Sequence, residues 1–129
     1  MEKVNIAIIS NVRKLRCAYR ILFDQDAQSP ARIVLEGPSI ETFGGKIDSL
    51  GKIDFLFLDY RLVLNNTALF FSLLNDYFPR TPIFLIVDKQ HFKEAQRCTN
   101  YIKAFLSTDL HPAQLFSSIR ETAKCHSYF

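Results

Sequence analysis

Asp59 closes the apolar run IDFLFL, and a carboxylate at the end of a buried strand has two uses. It can serve a site beyond the strand, or it can satisfy the amides of the turn that follows. Position alone leaves both open. Ser10 and Asn11 close a second apolar run, VNIAII, with a hydroxyl and an amide. Just past them Arg13, Lys14, Arg16 and Arg20 place four cations within eight residues. Such a density can hold the phosphates of a cyclic dinucleotide or a nucleic acid, or can simply be the solvated face of a helix. His91, His111 and His126 fall in separate stretches, and Cys17, Cys98 and Cys125 have no base beside them. Neither set has metal-ligand or nucleophile spacing, so enzyme chemistry is the weakest reading and no metal site is expected.

The elements that must carry these residues alternate between two kinds. Strand-like runs fall at residues 4–9, 31–35, 53–58, 83–87 and 103–107. Helical patterns follow each, over 12–23, 40–50, 68–78, 91–100 and from Pro112 onward. Asn11 is placed to cap the first helix and Asn65, Asn66 or Thr67 the third. Pro112 suits the first position of the last helix, with His111 as its cap and Leu115, Phe116, Ile119 and Ala123 on one face. The second helix contains Gly44 and Gly45 and is weak. The fourth, KQHFKEAQRC, is polar and should pack lightly.

This order predicts an α/β domain, a five-stranded parallel doubly wound sheet with helices on both faces. Ligands of such sheets sit beyond the carboxyl ends of the strands, at the switch point of the topology. The first turn there, ISNVRKL, has no glycine, so neither a dinucleotide fingerprint nor a P-loop is present.

The chain has 129 residues, 48% hydrophobic and 22% charged, which suits one domain spanning 1–129. No apolar run reaches the roughly 20 residues of a membrane span, so no membrane association is expected. The opening MEKVNIAIIS lacks the pattern of a signal peptide, and three scattered cysteines suit a reducing compartment. A cytoplasmic location is the expectation. A net charge of +3 does not make a nucleic-acid binder.

The segments IDFLFLDYRL, YFPRTPIFLIV and IKAFLSTDLHPAQLFSSIR resemble the receiver (CheY-like) domain of bacterial response regulators. The likeness is strongest to receivers preceding a LuxR/FixJ-type helix-turn-helix, and runs from Lys3 to Lys124. Asp59, Pro79, Pro82, Phe105 and Pro112 fall in register with that family's pattern. The resemblance implies the fold above, with Asp59 as phosphoacceptor and Phe105 in the place of the switching aromatic. It also puts Ser10 and Asn11 where the family holds Mg²⁺ with an acidic pair. Val87 falls where a hydroxyl residue meets the phosphoryl group, and Thr108 where a lysine neutralises it.

Those four identities make the pocket degenerate, because they remove the charge compensation for a phosphoryl group. Arg61 and Lys89 are the nearby cations that could restore part of it. The expected function is therefore a non-catalytic regulatory and dimerisation domain of a bacterial transcription regulator, not controlled by ordinary phosphorylation. Partners would be a second copy or another regulator, through exposed residues such as His91, Phe92, Lys93, Arg97, Phe116, Arg120, Tyr128 and Phe129. DNA would be reached only through a separate or missing helix-turn-helix domain. Two alternatives stand beside this. One is phosphorylation at Asp59, which alone would call for Mg²⁺ as cofactor. The other is an anionic-ligand sensor built on Arg13, Lys14, Arg16 and Arg20.

Overall fold

The computed structural model describes residues 3–43, 52–64 and 66–126, with side chains to residue 124. Five strands, β1 (Val4–Ile9), β2 (Ala31–Gly37), β3 (Phe55–Asp59), β4 (Ile83–Val87) and β5 (Ala104–Ser107), form one parallel sheet. Their order across the sheet is β2-β1-β3-β4-β5. The helices are α1 (Arg13–Gln25), α2 (Thr67–Tyr77), the single-turn α3 (Phe92–Ala95) and α4 (Pro112–His126).

The three central strands explain the sandwich. Ile6, Ile8, Phe55, Phe57, Phe84 and Ile86 belong to one core layer; Ala7, Ile9, Leu56, Leu58, Leu85 and Val87 belong to the other. Side chains alternate across a strand, so a strand that is apolar at every position must be covered on both faces. α1 and α4 cover the first layer through Phe23, Leu115, Phe116 and Ile119. That layer is largely aromatic: Phe23 lies 6.1 Å from Phe57 and 5.8 Å from Phe116, and Phe57 stacks on Phe84 at 5.5 Å. α2 and the α3 region cover the second layer with Phe71, Leu74, Ala95 and Cys98.

β2 carries an irregularity with consequences. Ile6 pairs with Ile33, but Ala7 pairs with Leu35, so Val34 is an extra residue. Ala31 and Ile33 pack toward α1, and Val34 and Leu35 pack into the opposite layer. The strand continues to Gly37, two residues past the expected end, and returns Glu36 to the α1 side.

Several local expectations are corrected. Asn11 does not cap α1: Val12 holds that position without a side-chain bond, and the Val12 N–H instead donates to the Ser10 hydroxyl at 3.1 Å. The expected helix over 40–50 is, in its described part, a 3₁₀ turn at Ile40–Phe43; residues 44–50 lie outside the described residues. The polar fourth helix is α-helical only at Phe92–Ala95, flanked by 3₁₀ turns at Lys89–His91 and Gln96–Tyr101. There the Thr99 hydroxyl bonds the Gln96 carbonyl at 2.5 Å, the competition by which short polar side chains weaken regular helix. Phe116 is no surface anchor, because it is 5% exposed within the aromatic layer. Tyr128 and Phe129 lie outside the described residues. Asn66 supplies the cap of α2, accepting from the Leu69 N–H, and His111 Nδ1 accepts from the Ala113 N–H at the start of α4.

Candidate functional site

The strand order turns between β1 and β3, so the crevice of the topology opens between the loops that follow them. Ser10 leaves β1 into this crevice and Asp59 ends β3 beside it. Both are buried, Asp59 at 2% exposure. The Ser10 hydroxyl donates to Asp59 Oδ2 at 2.6 Å. The other oxygen, Oδ1, accepts the backbone N–H of Arg61 at 3.1 Å, and Arg61 Nε stands 3.7 Å from it. Asp59 thus caps the 3₁₀ turn Tyr60–Val63 while holding the loop after β1. A buried carboxylate must be paired or hydrogen-bonded to remain charged, and here both oxygens are engaged by residues of the chain.

Charge radiates from this point. The phenol of Tyr19 on α1 is pushed up to about 12, first by burial and then by the negative Asp59. At the end of β4, Asp88 Oδ1 sits 2.5 Å from His91 Nδ1 and also accepts the His91 N–H. The His91 ring bond chiefly holds the Asp88 carboxyl below its usual range, and Arg61 adds to the effect. Tyr60 is buried, and among the described residues no partner lies within hydrogen-bonding distance of its hydroxyl. Burial, with the Glu94 carboxylate, pushes that phenol upward; Arg97, whose guanidinium lies 6.0 Å from the ring centroid, works against them.

The sequence matches no family model and no curated protein. Solved structures do match. A response regulator receiver domain protein from Clostridium thermocellum superposes with a TM-score of 0.72 at 12% identity, over 97% of this chain and 98% of that one. The N-terminal signal receiver domain of a two-component response regulator from Bacteroides fragilis gives 0.74 at 13%, over 95% and 98%. Full-length FixJ from B. japonicum gives 0.72 at 15%, over 96% of this chain and 59% of FixJ. This is the receiver fold.

At such identities the likeness is one of fold, and the chain spans well under two thirds of FixJ. The receiver fold implies Mg²⁺ at the crevice, and the donors present do not suit it. Mg²⁺ prefers an octahedron of hard oxygens and usually one or two carboxylates. Asp59 already has both oxygens engaged. Ser10 turns its proton to Asp59 and its oxygen to the Val12 N–H. Asn11 is exposed, and among the described residues no three His, Cys, Asp or Glu side chains come together.

The other expected receiver positions separate. Val87 is buried in the layer under α2, and its carbonyl accepts the Thr108 N–H at 3.2 Å. Thr108 is exposed. Phe105 is half-buried with its ring 5.5 Å from Phe92. The cationic cluster divides as well. Arg16 donates to the Ser10 carbonyl at 2.6 Å and pairs with Glu36 at 3.4 Å; Arg20 pairs with the same carboxylate. Arg13 and Lys14 are exposed, and neither has an ion pair among the described residues. Glu36 and Tyr19 are the site residues that sequence reading missed; Asp88, directly after a strand, carried a positional signal.

Proposed function

We propose that this chain is a regulatory receiver-type domain of a bacterial transcription regulator, acting through protein contacts without ordinary phosphorylation of Asp59. The observation that carries this reading is the 2.6 Å bond from Ser10 to Asp59. Where the resemblance puts a metal-holding carboxylate, a neutral hydroxyl is committed to the acceptor itself. Val87 lacks the hydroxyl, and Thr108 the ammonium, that a transferred phosphoryl group would need at those positions. A second copy or another regulator is the expected partner, and Phe92, 41% exposed beside Phe105, is the kind of aromatic that anchors such contacts. FixJ and RcsB, the latter solved as dimers bound to DNA and spanned to 61% by this chain, supply the analogy. DNA would be reached through a separate helix-turn-helix domain. The setting would be cytoplasmic; among the described residues no helix is long and apolar enough to cross a membrane.

The test is a titration of the isotope-labelled chain with Mg²⁺ and beryllofluoride, following amide NMR shifts. No saturable change around Asp59 at millimolar Mg²⁺ is expected. Shifts at Asp59 that spread to Phe105 and Thr108 would overturn the reading in favour of phosphorylation at Asp59. A second reading, an anionic-ligand sensor, is favoured by the exposed Arg13 and Lys14. With Arg16 and Arg20 held by Glu36, only half of the cationic cluster is left for it.

A further inference from the structure

We infer that Arg61 is the resident counter-ion of the Asp59 pocket: a tethered cation takes the electrostatic place of a divalent ion, and the pocket rejects such ions. The inference rests on the reading that this pocket does not work by ordinary phosphorylation, and it adds the residue responsible.

A carboxylate with 3% of its side chain exposed is costly to keep charged without a cation close by. Among the described residues Arg61 is the one cation within 4 Å of Asp59. Arg16 approaches the same loop but is spent on the Ser10 carbonyl and on Glu36. The placement of Arg61 follows from the backbone. Asp59 caps the 3₁₀ turn Tyr60–Val63, which brings the second residue of that turn back over its own cap. Its N–H and its guanidinium therefore reach the same oxygen, Oδ1, at 3.1 and 3.7 Å.

An arginine is charged at every pH a protein survives, and this one cannot diffuse away. A divalent ion seeking Oδ1 meets a positive charge already there, and on Oδ2 it must displace the Ser10 proton. The two contacts leave Asp59 working as a latch. It joins the loop after β3 to Ser10, whose oxygen also receives the Val12 N–H at the start of α1.

The test restores a carboxylate and asks whether Arg61 still blocks the ion. Asn11 is exposed, so Asn11→Asp adds an oxygen ligand beside the pocket without disturbing the core. Mn²⁺ titrations, read as paramagnetic broadening of amide resonances around Asp59, compare Asn11→Asp with Asn11→Asp/Arg61→Ala and Asn11→Asp/Arg61→Lys. The alanine variant should bind Mn²⁺ at least about tenfold more tightly than Asn11→Asp alone, and the lysine variant should stay near the latter. Equal affinity with and without Arg61, or a lysine variant as tight as the alanine one, would overturn the inference. Arg61→Gln, similar in reach and uncharged, replaces alanine should that variant not fold. Failure of the parent reading shows separately, as beryllofluoride uptake by the unaltered chain.

Discussion

Tyr19 meets Phe57 edge-on, with ring centroids 5.5 Å apart and planes at 78°. The contact fixes a phenol from α1 against the central strand that ends in Asp59. An ionised tyrosine there would be partly desolvated and would feel the negative charge of Asp59, which is why its pKa is pushed up to about 12.

That shift is a stability statement. The folded chain keeps a proton on Tyr19 that the unfolded chain gives up near pH 10, so the contribution is whole below pH 10. It is lost as pH rises toward about 12. Between those limits the chain should lose about 2–3 kcal/mol through this one group. Tyr19→Phe should flatten the slope, as read from thermal unfolding followed by circular dichroism across pH 9 to 12. An unchanged slope in the variant would place the effect elsewhere.

Ser10→Ala removes a hydroxyl donated to a buried carboxylate and leaves the Val12 N–H without its acceptor. Hydrogen bonds to charged groups contribute about 1.5–3 kcal/mol, and the variant should lose that much in urea denaturation. A loss under about 0.5 kcal/mol would mean that water readily takes over both bonds.

Gly37 is tight for a reason unrelated to backbone freedom. A Cβ there would lie 2.8 Å from Thr42 Cγ2 and 2.9 Å from Phe43 Cε1. Gly37→Ala should cost about 1–3 kcal/mol by overpacking. Adding Thr42→Ser, which removes the clashing methyl, should return part of the loss. Chemical denaturation of the two single variants and the double one measures that coupling.

Phe57 contacts Tyr19, Phe23 and Phe84 within the aromatic layer. Phe57→Ala should cost about 3–5 kcal/mol. Phe92→Ala, at a side chain 41% exposed, should cost under about 1 kcal/mol, so a partner-binding defect in that variant would not be a folding defect. Equilibrium unfolding of both proteins checks the contrast.

What sequence could reveal was set by how local each cause is. β1, β3 and β4 were legible because a strand covered on both faces is apolar throughout, and α4 because Pro112 and its apolar stripe lie within one element. Asp59 was legible as the first polar residue after such a run. β2 was cut short at Leu35 because its bulge breaks the alternation and because Glu36 resembles a loop residue until Arg16 and Arg20, twenty and sixteen positions away, are seen to meet it. The α3 region read as one polar helix because the 3₁₀ turns depend on side chain to backbone bonds that spacing does not encode. Arg61 was visible as a nearby cation, but only the turn capped by Asp59 reveals that its N–H and guanidinium converge on one oxygen.

The single extra residue in β2 reaches further than the strand. Val34 shifts the phase of everything after it, and an in-phase strand would have presented Glu36 to the far side of the sheet. Glu36 instead pairs with two of the four cations of α1, offsetting one of their two charges, and leaves Arg13 and Lys14 exposed. One inserted backbone unit thereby sets the electrostatic potential at the mouth of the domain, and a deletion at Val34 would alter what approaches that mouth before it altered any residue there.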